Sequence, residues 1–165
     1  MSDARFAFGH VEATWFRAPS RKANIMAHTA ITHRPYGNAV TTPLTFEAAL
    51  ARTKAALKDE GFGVLSEIDV AKTLKDKIDV NFRPYTILGA CNPQLAHRAL
   101  RAEDDLGLLL PCNVVVAADE RGTRVSTIDA DLMMGMVGNN ALIAIASEVN
   151  ERLERVLARI ADVDA

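Results

Sequence analysis

The chain has 165 residues, 49% of them apolar and 24% charged, with 19 Lys+Arg against 21 Asp+Glu. That length suits one domain able to bury about 70% of its unfolded surface without metal or disulfide staples, and the composition excludes disordered, collagen-like and disulfide-dense chains. A net charge of −2 leaves no electrostatic footprint for nucleic acid or an anionic membrane, and no apolar run approaches the roughly 20 residues of a membrane span.

The charge is unevenly placed. Residues 1–40 hold five basic and two acidic side chains, and the remaining 125 are net acidic. Phe6, Phe8, Trp15 and Phe16 crowd four of the nine aromatics into the same leader. A secretory signal would need an apolar stretch of roughly 7–15 residues after the early charges, and none is there. A transit peptide would be rich in Arg and poor in acids, which Asp3 and Glu12 weigh against. Residues 1–35 are therefore expected to be a flexible or atypical extension, translated from a start upstream of Met26. A compact α+β domain is expected over 36–161. Without a signal peptide the expected location is cytoplasmic, where free thiols are the ordinary state.

From Tyr36 the chain is well punctuated. Residues 36–42 suit a first strand. Thr45 can cap a helix whose Phe46, Ala49, Leu50, Thr53 and Leu57 share one face, and Gly61 can stop it. Residues 62–68 read as a strand. Asp69 can cap a short helix with Val70, Leu74 and Ile78 turned inward. A third strand runs from Tyr85 to Cys91, and Asn92-Pro93 is a strong helix start, since proline at the first helical position costs no amide donor. That helix should continue to about Ala102, with Leu95, Ala96, Ala99 and Leu100 inward, before Glu103, Asp104 and Asp105 oppose its dipole.

Residues 108–118 look like a long buried strand, with Pro111 implying a bulge or an edge position. Residues 120–122 turn the chain and 123–128 return as a strand. Asp129 can cap a short helix through Met136. After a break at 138–140, a last helix reaches about Ala161 with Leu142, Ile145, Ala146, Val149, Leu153, Val156, Leu157 and Ile160 inward. Its charged face, from Glu148 to Arg159, has ordinary ion-pair spacing. The predicted order is β-α-β-α-β-α-β-β-α-α. The class is α+β: a single domain with a mixed, mostly antiparallel sheet packed against helices.

The runs YTILGACNPQLAH (85–97) and GLLLPCNVVV (107–116) resemble the signature of the bacterial and archaeal family called domain of unknown function 302. Supporting pieces are GFGVLSEID (61–69), LKDK (74–77) and VGN (137–139). The resemblance covers about 36–160. It implies a compact α+β homodimer that usually stands alone, and it implies no reaction. The leader has no counterpart in it.

Two Cys-Asn pairs carry the clearest chemical setting. Cys91 precedes a helix N-terminus, which favours a negative group and can lower a thiol pKa. Cys112 lies on a neighbouring strand, so the two thiols could approach. Asn92 and Asn113 offer amides to a turn or to a bound anion. Against this stands the commonest fate of free cysteine, a small buried hydrophobe. His97 falls at the solvent boundary of its helix, although a thiol–imidazole pair with Cys91 would be a nucleophile's form. Glu67 is either a ligand contact or a surface carboxylate.

No metal site and no cofactor are expected. The two cysteines lack further ligands, His10 lies in the leader, and His28 and His33 would point to opposite faces of one strand. Met133, Met134 and Met136 read as core packing, and Arg83 and Arg98 as lone arginines able to receive an anion but ordinarily solvated. Phosphate-loop, dinucleotide, zinc-helix and serine-elbow motifs are absent. Three readings remain: a homodimeric module that binds a small, anionic molecule beside Cys91-Asn92-Pro93 and Cys112-Asn113; a redox or sulfur-handling protein with Cys91 as the reactive thiol; and a structural domain without chemistry. Whether the protein is an enzyme stays open. The expected partners are a second copy and a small molecule, with neither nucleic acid nor membrane.

Overall fold

Local signals place the strands and helices of the computed structural model, which describes residues 30–163. The strands are β1 (Thr32–Arg34), β2 (Gly37–Thr42), β3 (Gly63–Asp69), β4 (Tyr85–Cys91), β5 (Cys112–Asp119) and β6 (Gly122–Ile128). The helices are α1 (Phe46–Asp59), α2 (Val70–Ile78), α3 (Pro93–Ala102), α4 (Ala130–Gly135) and α5 (Ile143–Ala161). Four expected caps close helix starts: Thr45 accepts from the Ala48 amide, Asp69 from Lys72, Asn92 from Gln94 and Leu95, and Asp129 from Leu132. Each removes an orphan donor from a first turn.

The six strands form one sheet in the order β1-β2-β6-β5-β4-β3, and every pairing is antiparallel. The class is α+β, with a sheet more uniform than the mixed one expected. Period-two alternation assigns the faces. Val40, Leu88, Val114, Val116 and Val125 point to one side and are fully buried. There they meet Leu57 of α1, Leu95 and Ala99 of α3, and Val149, Leu153, Val156, Leu157 and Ile160 of α5. Burial of each large side chain stabilises by about 1.5–3 kcal/mol, so this single core dominates the fold.

Several expectations are corrected. β1 pairs with β2 through Thr32–Ala39 and His33–Asn38, so the described sheet includes residues ahead of Tyr36; residues 1–29 of the predicted extension, with Met26, His10 and His28, lie outside the described residues. The first part of the supposed 108–118 strand is a 3-10 helix, Asp104–Leu109, which leaves Leu108 87% exposed. Pro111 has no ladder donor, follows a cis peptide bond, and β5 starts directly after it.

No residue of α2 is buried: Val70 and Leu74 are half-buried and Ile78 is exposed. The helix touches mainly β3 and β4 at the sheet edge, where among the described residues no second layer covers it. Leu100 and Met136 are likewise exposed, whereas Met133 and Met134 are buried. The charged face of α5 is a clamp. Arg155 and Arg159 bind the buried Glu60 carboxylate at 2.9 and 3.3 Å, and Arg152 donates to the Glu60 carbonyl at 3.1 Å. Cations there complement the C-terminal dipole of α1.

Candidate functional site

The Cys91 region is built as its sequence implies and then filled by its own residues. The Asn92 side-chain oxygen accepts from the Gln94 and Leu95 amides at 3.1 and 3.2 Å, so it occupies the position an anion would take at this helix start. Cys91 is half-buried and Cys112 buried. Cys112 pairs across the ladder with Ala90, the residue before Cys91, so the two cysteines are neighbours. Burial pushes the Cys91 thiol up. Burial and, secondarily, the nearby Cys91 push Cys112 up to about 11. Both effects disfavour the thiolate, opposite to the direction a helix dipole alone would give.

The space between Cys91, Cys112, Phe62, Leu95 and Met134 amounts to about 20 Å³, room for about one water molecule. His97 is exposed on α3 and, among the described residues, hydrogen-bonds to neither cysteine. Glu67 is exposed and pairs with Lys54 at 2.6 Å. Arg98 pairs with Glu148 at 3.0 Å. Among the described residues no group of three or more His, Cys, Asp or Glu side chains is placed to hold a metal ion, and no helix is long and apolar enough to cross a membrane.

Asn113 separates from the other candidates. It follows Cys112 along β5, so its side chain leaves by the opposite sheet face, the one not covered by α1, α3 and α5. That face holds a cleft of about 290 Å³. Its floor comes from Asn113, Val115 and Ala117 of β5 and Ser126 and Ile128 of β6. Register puts Tyr85, Ala117 and Arg124 in one row across three strands, with Val115 and Ser126 paired in the next. Arg34 at the end of β1, Tyr36 in the turn before β2 and Arg83 ahead of β4 complete the wall.

Three guanidinium groups thus surround one cleft, and no carboxylate lines it. Among the described residues none of the three is in an ion pair. Aromatic groups hold two of them instead. Arg34 Nη1 donates to the Tyr36 hydroxyl at 3.2 Å. Arg83 lies 5.8 Å from the Phe82 ring centre and 5.9 Å from that of Tyr85, within cation–π range. Arg124 is fixed by its place in β6. Burial, then the charge of Arg34 and more weakly that of Arg83, lower its pKa, and Arg34 lowers that of the Tyr36 hydroxyl through its hydrogen bond and charge. Asp119 opposes this only weakly at Arg124, so positive charge is concentrated on the cleft.

Of the residues singled out in the sequence, the cleft contains Asn113 and Arg83; Arg34, Tyr36, Tyr85, Arg124 and Ser126 were not singled out. Their positions span 34 to 126, so no local motif joins them. One signal was available: in 123–128 the side chains alternate, and Arg124 occupies an outward position between two core residues.

The description "Domain of unknown function DUF302" fits residues 38–160, a span that includes Cys91, Cys112, Asn113, Arg83 and Arg124 but excludes Arg34 and Tyr36. The chain is also similar to the solved structure of an uncharacterized conserved protein DUF302 from Bacillus stearothermophilus. The two are 32% identical, the match covers 76% of this chain and 98% of the other, and the TM-score is 0.72. No curated protein matches. A family match over most of the chain, with the same fold in a solved member, means that this chain belongs to the DUF302 family.

Proposed function

We propose that the domain is a binding module for a small anion, and that its site is the open-face cleft rather than the helix start behind Cys91. The observation that carries this reading is the convergence of Arg34, Arg83 and Arg124 on one cleft whose lining has no acid. Like charges brought together cost stability, and an anion accepting from such arginines makes charge-assisted hydrogen bonds, the strong kind in proteins. Asn113 and Ser126 add neutral polar groups that can fix orientation. Isotope-labelled protein titrated with acetate and inorganic phosphate tests the reading. Amide shifts should cluster on β4, β5 and β6 and be lost in Arg124→Gln. Shifts confined to Asn92 and Gln94 would return the site to the helix start.

Thiol chemistry with Cys91 or Cys112 has less support, because burial raises both thiols. Self-association has a specific observation behind it. All seven residues of edge strand β3 are exposed, and Leu65, Ile68, Ile78, Val80 and Phe82 leave apolar surface open along it and just after it. At typical side-chain areas this is on the order of 500 Å² per copy, so two copies meeting would bury roughly 1,000 Å², the threshold of a stable interface. An unpaired edge is self-complementary under two-fold symmetry, which makes a second copy its natural occupant. Light scattering should give a dimer for the native chain and a monomer for Leu65→Lys. A monomeric native chain would remove this part of the proposal.

A further inference from the structure

We infer that the anion taken by the open-face cleft is organic, with a flat apolar body carrying one carboxylate or phosphate, and not a free inorganic ion; this rests on the anion-binding reading above. The charged groups occupy only part of the site. Between them lies a floor of Val115, Ala117 and Ile128 on a β-sheet surface, with tyrosine rings beside it. A hydrated inorganic ion gains nothing from that floor, whereas an apolar ring covering it gains by the area removed from water.

Size points the same way. A cleft of about 290 Å³ sits at the low end of small-molecule sites. One ring with an acidic substituent suits that space. Geometry supplies the orientation. Tyr85 and Arg124 share a row across the sheet with only Ala117 between them. A ring lying over Ala117 would therefore meet an aromatic neighbour on one side and a guanidinium on the other. Arg83 lies within cation–π range of the Phe82 and Tyr85 rings, and a guanidinium beside the cleft can meet an acid group in the paired fashion arginine favours.

Isothermal titration of the full chain with four probes, benzoate, acetate, inorganic phosphate and benzamide, tests the assignment. Benzoate should bind at least tenfold more tightly than acetate, phosphate or the neutral benzamide. Val115→Phe, which fills the floor, should weaken benzoate at least tenfold and leave acetate within twofold. Equal binding of benzoate, acetate and phosphate would overturn the organic body and leave the anion site standing. Benzamide binding as well as benzoate would remove the charge from recognition and overturn both. No heat from any probe, with the Arg124 and Tyr85 amides unmoved, would also overturn both. The native-chain comparison decides the matter even where Val115→Phe fails to fold.

Discussion

At pH 8 the Cys112 thiol should be alkylated about a hundredfold more slowly than an ordinary cysteine. The perturbation is burial: the side chain is 4% exposed, and its pKa stands at about 11 against an unperturbed 9.0. A rise of that size lowers the thiolate fraction about a hundredfold, and only the thiolate reacts. Iodoacetamide labelling of the native chain, with each cysteine followed by peptide mass, reads this thiol and keeps the Cys91 charge that adds to its shift. Its rate should climb tenfold for each step of one in pH, up to about 11. The raised pKa also has a stability consequence. The native state holds the proton more tightly than the unfolded chain, so this contribution is full below pH 9 and is lost as pH rises towards 11. It amounts to about 3 kcal/mol, at about 1.4 kcal/mol for each tenfold change in proton affinity. Urea melts of Cys112→Ala and the native chain should therefore converge as pH rises from about 8 to about 11. A labelling rate that levels off near pH 9, or a gap between the melts that does not change, would refute the burial argument.

Asn92→Ala removes the acceptor of two amides at the α3 start and should cost about 1–2 kcal/mol in chemical denaturation. Gly37→Ala drives a methyl into the Thr127 carbonyl of the paired strand; the overpacking should cost about 1–3 kcal/mol, seen as a lower melting temperature. Arg124→Gln relieves repulsion from Arg34 and Arg83, so calorimetry should show a melting temperature at or above that of the native chain while anion binding falls. A clear loss of stability would mean that Arg124 holds the sheet rather than a ligand.

Chain punctuation was readable because its causes are local. Thr45, Asp69, Asn92 and Asp129 announce helix starts with a side chain that reaches an amide only two or three residues on. The inward stripe of α5 follows from helical period alone, and all eight predicted inward residues from Leu142 to Ile160 are buried. What α2 faces is not local. Val70, Leu74 and Ile78 form a proper stripe, yet β3 lies at the sheet edge and, among the described residues, no second layer meets that stripe. The Leu108 misreading has a similar origin, since an apolar run bounded by proline looks alike whether it pairs or coils. The cleft was least legible of all. Arg34 fell in what read as an extension and Arg83 looked solitary, and only the strand order, which sets β6 between β2 and β5, brings either near Arg124.

The strict alternation along β5 divides its residues into two trades. Cys112, Val114 and Val116 hold the helices, and Asn113, Val115 and Ala117 meet whatever enters from the other side. Because the two sets share a backbone but no face, substitution at positions 113, 115, 124 and 126 can proceed while the packed core stays unchanged. A sheet clothed on one side leaves this chain an outward face that can change without repacking the core. On the anion-binding reading proposed above, a change of ligand would need only a handful of outward side chains.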